Sequence, residues 1–175
     1  MTDKSELPWQ DRVYAALKRA GVRQIGYVPD AGHARVIELS HEDNEMHSVV
    51  CTTEEEGIAL SAGAYLGGQR SALLMQSSGV GNCINMLSLP INCRMPFFTI
   101  VTMRGEWGEF NPWQVPMGSA TEAVLKAAGV HVRRAEQADE VVEVVEASAR
   151  LAFDSHIPVA VLLSQRLIGA KVWTK

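Results

Sequence analysis

The sequence predicts an α/β fold: a three-layer sandwich with a central, mostly parallel six-stranded sheet and helices on both faces. Three observations carry this. Strand-like and helix-length segments alternate along the chain, about six of each. The strand-like runs are apolar at both odd and even positions, as in SALLM at 71–75 and PFFTIVTM at 96–103, the pattern of a strand covered on both faces. The segments between them are long enough to carry a helix, which suits parallel neighbours joined by right-handed crossovers.

The elements follow in order. Residues 7–20 read as a helix, with Pro8 in its first turn, Val13, Leu17 and Ala20 at helical spacing, and Gly21 as its stop. A short strand is expected at 23–28, broken by Pro29-Asp30-Ala31-Gly32-His33, then a short helix at 34–39 and a strand at 48–51. A helix opens near Glu54 and runs to about Leu66, where Gly67-Gly68 ends it. Thr52 or Thr53 is its expected cap, and Glu54, Glu55 and Glu56 fall in its first turn, where carboxylates favour the helix dipole. After the strand at 71–75, residues 76–82 (QSSGVGN) read as a turn into a helix that Pro90 closes. The strand at 96–103 is followed by a long loop, 104–117, and by a helix from Ser119 or Thr121 to Gly129. A strand at 130–133, an amphipathic helix at 137–155 and a last strand at 158–164 complete the pattern, and the tail 165–175 carries no strong signal.

The 175 residues, 47% apolar and 21% charged, suffice for one domain over 1–175 with a full core. A net charge of −4 gives no electrostatic footprint for nucleic acid or an anionic membrane. The polar start at 1–12 has no apolar signal core, and no segment reaches membrane-spanning length unbroken. Cys51, Cys83 and Cys93 show no metal-type spacing, so a reduced, cytoplasmic protein is expected.

Ligands in such folds lie off the carboxyl ends of the strands. The loops at 29–33, 52–56, 76–82 and 104–117 are expected to meet there. The acids at 54–56 are either a solvated dipole-stabilising turn or a carboxylate aimed across a crevice. The glycine-rich run 76–82 is either a tight turn capped by Ser77 or Ser78, or a cradle of backbone N–H groups for an anion; it lacks the P-loop lysine. Arg104 is a candidate fixed cation for an anionic substrate, in a loop whose Trp107 and Trp113 suit a subunit contact equally well. His33 is a candidate proton carrier or a solvated loop histidine.

These residues resemble the pyrimidine-binding domain of thiamine-diphosphate-dependent decarboxylases. In that family a glutamate opens a helix and small residues follow, as Gly57, Ser61 and Gly63 follow Glu54 here; the register with Glu55 stays open. Phosphonopyruvate and sulfopyruvate decarboxylases are closer, through Val28-Pro29-Asp30, the stretch 75–82, and Arg104-Gly105-Glu106 through Gln114. The wording at 54–57 and 61–66 most resembles sulfopyruvate decarboxylase alpha subunits.

The resemblance implies a subunit of an enzyme that turns 3-sulfopyruvate into sulfoacetaldehyde and CO₂. It implies Glu54, or Glu55, as the catalytic proton partner of the cofactor's aminopyrimidine, with Gln76, Ser78, Gly79 and Asn82 facing the cofactor. It makes Asp30 and His33 a proton relay that also meets the substrate, although Ala31 stands where many relatives have a polar residue. Arg104 and Gln114 become contacts for the sulfonate or carboxylate. The family binds Mg²⁺ and the diphosphate through Gly-Asp-Gly and a downstream Asn, and this chain has no Gly-Asp-Gly. No metal ligand is therefore expected in it. Thiamine diphosphate would be shared with a beta subunit that holds the Mg²⁺, in a heteromer with further alpha copies. The small residues after Glu54 would serve close helix packing across a subunit interface. Two other readings remain: a subunit acting on phosphonopyruvate or another 2-oxo acid, and a non-catalytic, flavodoxin-like scaffold subunit.

Overall fold

The computed structural model describes residues 7–170; the first part of the polar N-terminus and the end of the tail lie outside them. Six strands form one sheet: β1 (Val22–Tyr27), β2 (His47–Val50), β3 (Arg70–Gln76), β4 (Phe97–Thr102), β5 (His131–Ala135) and β6 (Pro158–Leu163). Their order is β2-β1-β3-β4-β6-β5, and every pairing is parallel. The helices are α1 (Trp9–Arg19), α2 (Ala34–Glu42), α3 (Glu54–Leu66), α4 (Ser77–Cys83), α5 (Ser88–Asn92), α6 (Val115–Ala127), α7 (Val141–Ser155) and α8 (Gln165–Ile168).

Alternation along the central strands builds two cores, one on each face. Ala72 and Leu74 of β3, Phe98 and Ile100 of β4, and Val159 and Val161 of β6 pack with Leu17 of α1, Val36 of α2 and Val145 of α7. Leu73, Met75, Phe97, Val101, Ala160 and Leu162, the alternate residues, pack with Ile58 of α3, Val80 and Cys83 of α4, and Leu125 of α6. This is the expected three-layer sandwich. The central strands β4 and β6 are buried over their whole length, which explains why apolar residues fall at both odd and even positions along them.

Several boundaries differ from the sequence reading. The glycine-rich run is no turn: α4 begins directly after β3, with Gln76 at its N-cap and Gly79 and Gly81 inside it. Pro90 lies within α5, where the first turn tolerates a missing N–H, and does not close a helix. Residues 112–114 form a 3₁₀ turn and α6 starts at Val115, with Pro116 in its first turn, so the irregular loop is shorter than expected. α7 begins at Val141, because Glu140 Oε1 accepts the N–H groups of Glu136 (2.5 Å) and Gln137 (3.1 Å) and holds 136–140 as its lead-in. The unforeseen α8 is capped by Ser164 Oγ, which accepts from the Arg166 N–H.

Candidate active site

The site is built on the start of α3, off the carboxyl end of the edge strand β2. Thr53 occupies the N-cap in extended conformation, but its side chain makes no cap bond. The capping role falls instead to Glu56, whose Oε2 accepts the Thr52 N–H at 2.5 Å. Glu55 is exposed. Glu54 is only 8% exposed: of the three acids it alone turns inward. Its Oε2 accepts from Asn82 Nδ2 of α4 at 2.8 Å, while Oε1 accepts no hydrogen bond from a described residue.

The carboxylate lies flat against Gly79. A Cβ there would stand 2.2 Å from Glu54 Cδ and Oε1. Thus the glycine of the 76–82 run serves neither a turn nor a backbone anion cradle; it makes room for a side chain from another helix. The small residues of α3 divide in the same way. Gly57 packs on β3, where a Cβ would stand 2.2 Å from Leu73 Cδ1, and Ser61 Oγ donates to the Gly57 carbonyl. Packing inside the chain therefore accounts for Gly57 and Ser61, and only Ala59 and Gly63 are left on the outer face.

Beside this pair runs a second polar network, off the ends of β1, β3 and β4. Asp30 Oδ1 accepts from Gln76 Nε2 (2.8 Å), and Oδ2 accepts from Thr102 Oγ1 (2.6 Å) and the Gly32 N–H (3.1 Å). Ser78 Oγ donates to Gln76 Oε1 at 3.0 Å. His33 is not drawn into this network. It is 1% exposed, and its Nε2 lies 3.2 Å from the Met75 carbonyl and 3.1 Å from the Ile100 carbonyl. Two carbonyl partners require an Nε2–H tautomer. Burial pushes its pKa down, against the raising effect of Asp30 and the two carbonyls. Its ring ties the start of α2 to β3 and β4.

Arg104, expected as a free cation, is committed within the chain. Its Nε and Nη2 donate to Glu109 Oε2 (2.7 Å) and Oε1 (2.6 Å), and the two side chains are 7% and 4% exposed. The pairing raises the Arg104 pKa and holds Glu109 down at about 2. Glu109 also accepts from the N–H groups of Gly105 and Asn111 and from Gln165 Nε2. Gln165, fully buried, accepts the N–H groups of Glu106 and Trp107 at 3.0 and 2.9 Å. The loop is thereby held rigidly, with Trp107, Phe110 and Trp113 exposed. Gln114 closes it, and its Oε1 is buried without a partner among the described residues.

Of the sequence-derived site residues, the structure joins Glu54 with Gly79 and Asn82, and Asp30 with Gln76 and Ser78. It joins His33 to Asp30 only through the backbone, the His33 N–H donating to the Asp30 carbonyl at 3.1 Å, and it joins the side chains of His33, Arg104 and Gln114 to neither group by hydrogen bonds among the described residues. Thr102, Glu109 and Gln165 were missed. Thr102 stands in an apolar strand run, and Gln165 in a segment without pattern, so neither carried a local signal. Among the described residues no group of three or more His, Cys, Asp or Glu is placed to hold a metal, and no helix is long and apolar enough to cross a membrane.

No family model matches the chain. It is similar to the sulfopyruvate decarboxylase alpha subunit of Methanococcus maripaludis, 35% identical over 154 residues that span 87% of this chain and 92% of that one. The sulfopyruvate decarboxylase alpha subunit of Methanothermobacter thermautotrophicus is 37% identical, over 87% of this chain and 93% of its own. Among solved structures, a 2-oxoglutarate:ferredoxin oxidoreductase from Magnetococcus marinus superposes with a TM-score of 0.71, over 93% of this chain and 29% of that one. At 15% identity this is a likeness of fold.

Proposed function

The chain belongs to the family of sulfopyruvate decarboxylase alpha subunits, and on that premise we propose that it is the pyrimidine-binding half of a thiamine-diphosphate-dependent carboxy-lyase that converts 3-sulfopyruvate into sulfoacetaldehyde and CO₂. The observation that carries the proposal is Glu54. It is the inward carboxylate at a strand-to-helix junction, with Oε2 anchored by Asn82 and Oε1 open to a further donor.

The residues present fit an aminopyrimidine. Gly79 removes the side chain that would crowd the carboxylate, and Oε1 is an acceptor free to meet a ring nitrogen. When bound, thiamine diphosphate supplies the nucleophilic carbon and the electron sink that decarboxylation needs. Glu54 would hold the proton at Oε1 that such a ring nitrogen shares, and Asn82 keeps the carboxylate from turning away. Gln76 and Ser78 are the polar groups of α4's start on the same side. The Asp30 carboxylate accepts all three of its hydrogen bonds, so it acts as an anchor for Gln76. His33 supports β3 and β4, and Arg104 supports the loop. With Arg104 neutralised by Glu109, the site carries few free cations, which suits a sulfonate better than a phosphonate with up to one more negative charge.

Residues 1–175 are one pyrimidine-binding domain in this proposal. The diphosphate and Mg²⁺ belong to a beta subunit, since Gly-Asp-Gly is missing from the chain. The assembled enzyme works in the cytoplasm, and Ala59, Gly63 and the exposed aromatics are the surfaces offered to partner chains. Co-purification with the beta subunit from the neighbouring reading frame tests this. CO₂ release from sulfopyruvate that requires thiamine diphosphate and Mg²⁺ is expected. Release from phosphonopyruvate at a higher kcat/KM would reassign the substrate, and no cofactor-dependent release from any 2-oxo acid would overturn the proposal.

A further inference from the structure

Asp30 is the point at which the hydrogen bonds of the second network end. Ser78 donates to Gln76, Gln76 donates to Asp30, and Thr102 and the Gly32 N–H donate to Asp30 from the other side. A carboxylate only accepts, so it decides which end of the Gln76 amide faces it. Thr102 is fully buried in β4, and of the two acceptors near its hydroxyl, Asp30 Oδ2 at 2.6 Å and the Met75 carbonyl at 3.4 Å, the nearer carboxylate takes its one hydrogen. The loop closes tightly over the pair, for a Cβ at Gly32 would stand 2.6 Å from Thr102 Cγ2 and 2.9 Å from Asp30 Oδ2.

We propose that Thr102 is a positioning residue of the active site: it fixes the place of Asp30, whose carboxylate sets the Gln76 amide with nitrogen toward Asp30 and oxygen toward Ser78. The second Nε2 hydrogen of Gln76 has no acceptor among the described residues, so this setting presents the site with an N–H donor. A 2-oxo acid brings carboxylate and carbonyl oxygens, which need donors. That use rests on the proposed function; the setting of the amide does not.

The same geometry says what Asp30→Asn does. An amide has one acceptor atom and one donor group. The Gly32 N–H cannot turn, so the new oxygen stays with Gly32 and Thr102, and the new NH₂ faces Gln76. Gln76 must then invert, and the donor is lost.

The test uses the assembled enzyme, loaded with thiamine diphosphate and Mg²⁺, carrying Thr102→Val or Thr102→Ser, each with and without Asp30→Asn. Thr102→Val is expected to lower kcat/KM for sulfopyruvate about tenfold, chiefly through KM, by removing one hydrogen bond to a charged group. Thr102→Ser restores it. Thr102→Val adds nothing on the Asp30→Asn background, because a residue acting through Asp30 has no route left. A second readout needs no activity: in the ¹⁵N-labelled full chain, the Gln76 side-chain amide signals move in Asp30→Asn and Thr102→Val and stay in Thr102→Ser. Effects of Thr102→Val and Asp30→Asn that multiply, a Thr102→Ser variant no better than Thr102→Val, or unmoved Gln76 signals would overturn the inference. A wild-type enzyme without decarboxylase activity overturns the proposed function, and the amide signals then decide this inference by themselves.

Discussion

Replacing Gly79 by Ala is the smallest change that should disable the site. The added Cβ would stand 2.2 Å from Glu54 Cδ and Oε1 and 2.4 Å from Cγ. Ordinary contact begins at 3.4 Å, so the carboxylate must retreat by about 1.2 Å. A 2.8 Å bond to Asn82 stretched by that amount leaves the hydrogen-bonding range. A hydrogen bond to a charged group contributes about 1.5–3 kcal/mol, and each ~1.4 kcal/mol is a factor of ten. Displacement of Glu54 should therefore cost at least about tenfold in kcat, with further loss from the misplaced proton partner. Stability should move little, because Ala in a helix interior is about 0.5–1 kcal/mol better than Gly and offsets part of the strain. The assay is steady-state decarboxylation by the cofactor-loaded complex, set beside thermal unfolding of the same preparation. Wild-type kcat at unchanged Tm would contradict this, since it would mean that the Glu54 position carries no weight. A Tm lowered by more than about 8 °C would refute it differently, by showing collapse of the α3–α4 packing in place of a local displacement.

Glu54→Gln should nearly abolish turnover at unchanged Tm; turnover kept there and lost in Glu55→Gln would move the role to Glu55. Glu109→Gln leaves Arg104 buried without its partner and should destabilise the loop by about 3–5 kcal/mol. The check is limited proteolysis within 105–111, and unchanged cleavage rates would reject the clamp. The Glu109 carboxyl is lowered from 4.5 to about 2, so its contribution is complete above about pH 4.5 and is lost as pH falls toward 2. His33 acts higher on the scale. Its folded pKa lies below the ordinary 6.5, so the folded state resists protonation that the unfolded chain accepts. Stability should be full above pH 6.5 and decline below it until the folded pKa is reached; a His33→Gln variant with the same slope of Tm between pH 7 and 5 would contradict this.

The two-sided apolar strands made the layer architecture legible, because burial on both faces is a property of each strand by itself. The boundaries that failed were those settled by neighbours. The run at 76–82 has the composition of a turn, yet α4 starts at Ser77 and its Gly79 leaves room for Glu54, a side chain from another helix. Arg104 has the look of a free cation in a loop, yet Glu109 and Gln165 consume its surroundings.

The α/β alternation, the six strands and the glutamate at the mouth of α3 are written in local pattern, because hydrophobic period and helix-start preferences act over a few residues. Which of the three acids turns inward depends on long-range packing. Asn82 lies 28 positions from Glu54, and Thr102 lies 72 from Asp30. Those pairs exist because the strand order β2-β1-β3-β4 brings four carboxyl ends together, and strand order is a property of long-range closure that no local pattern encodes.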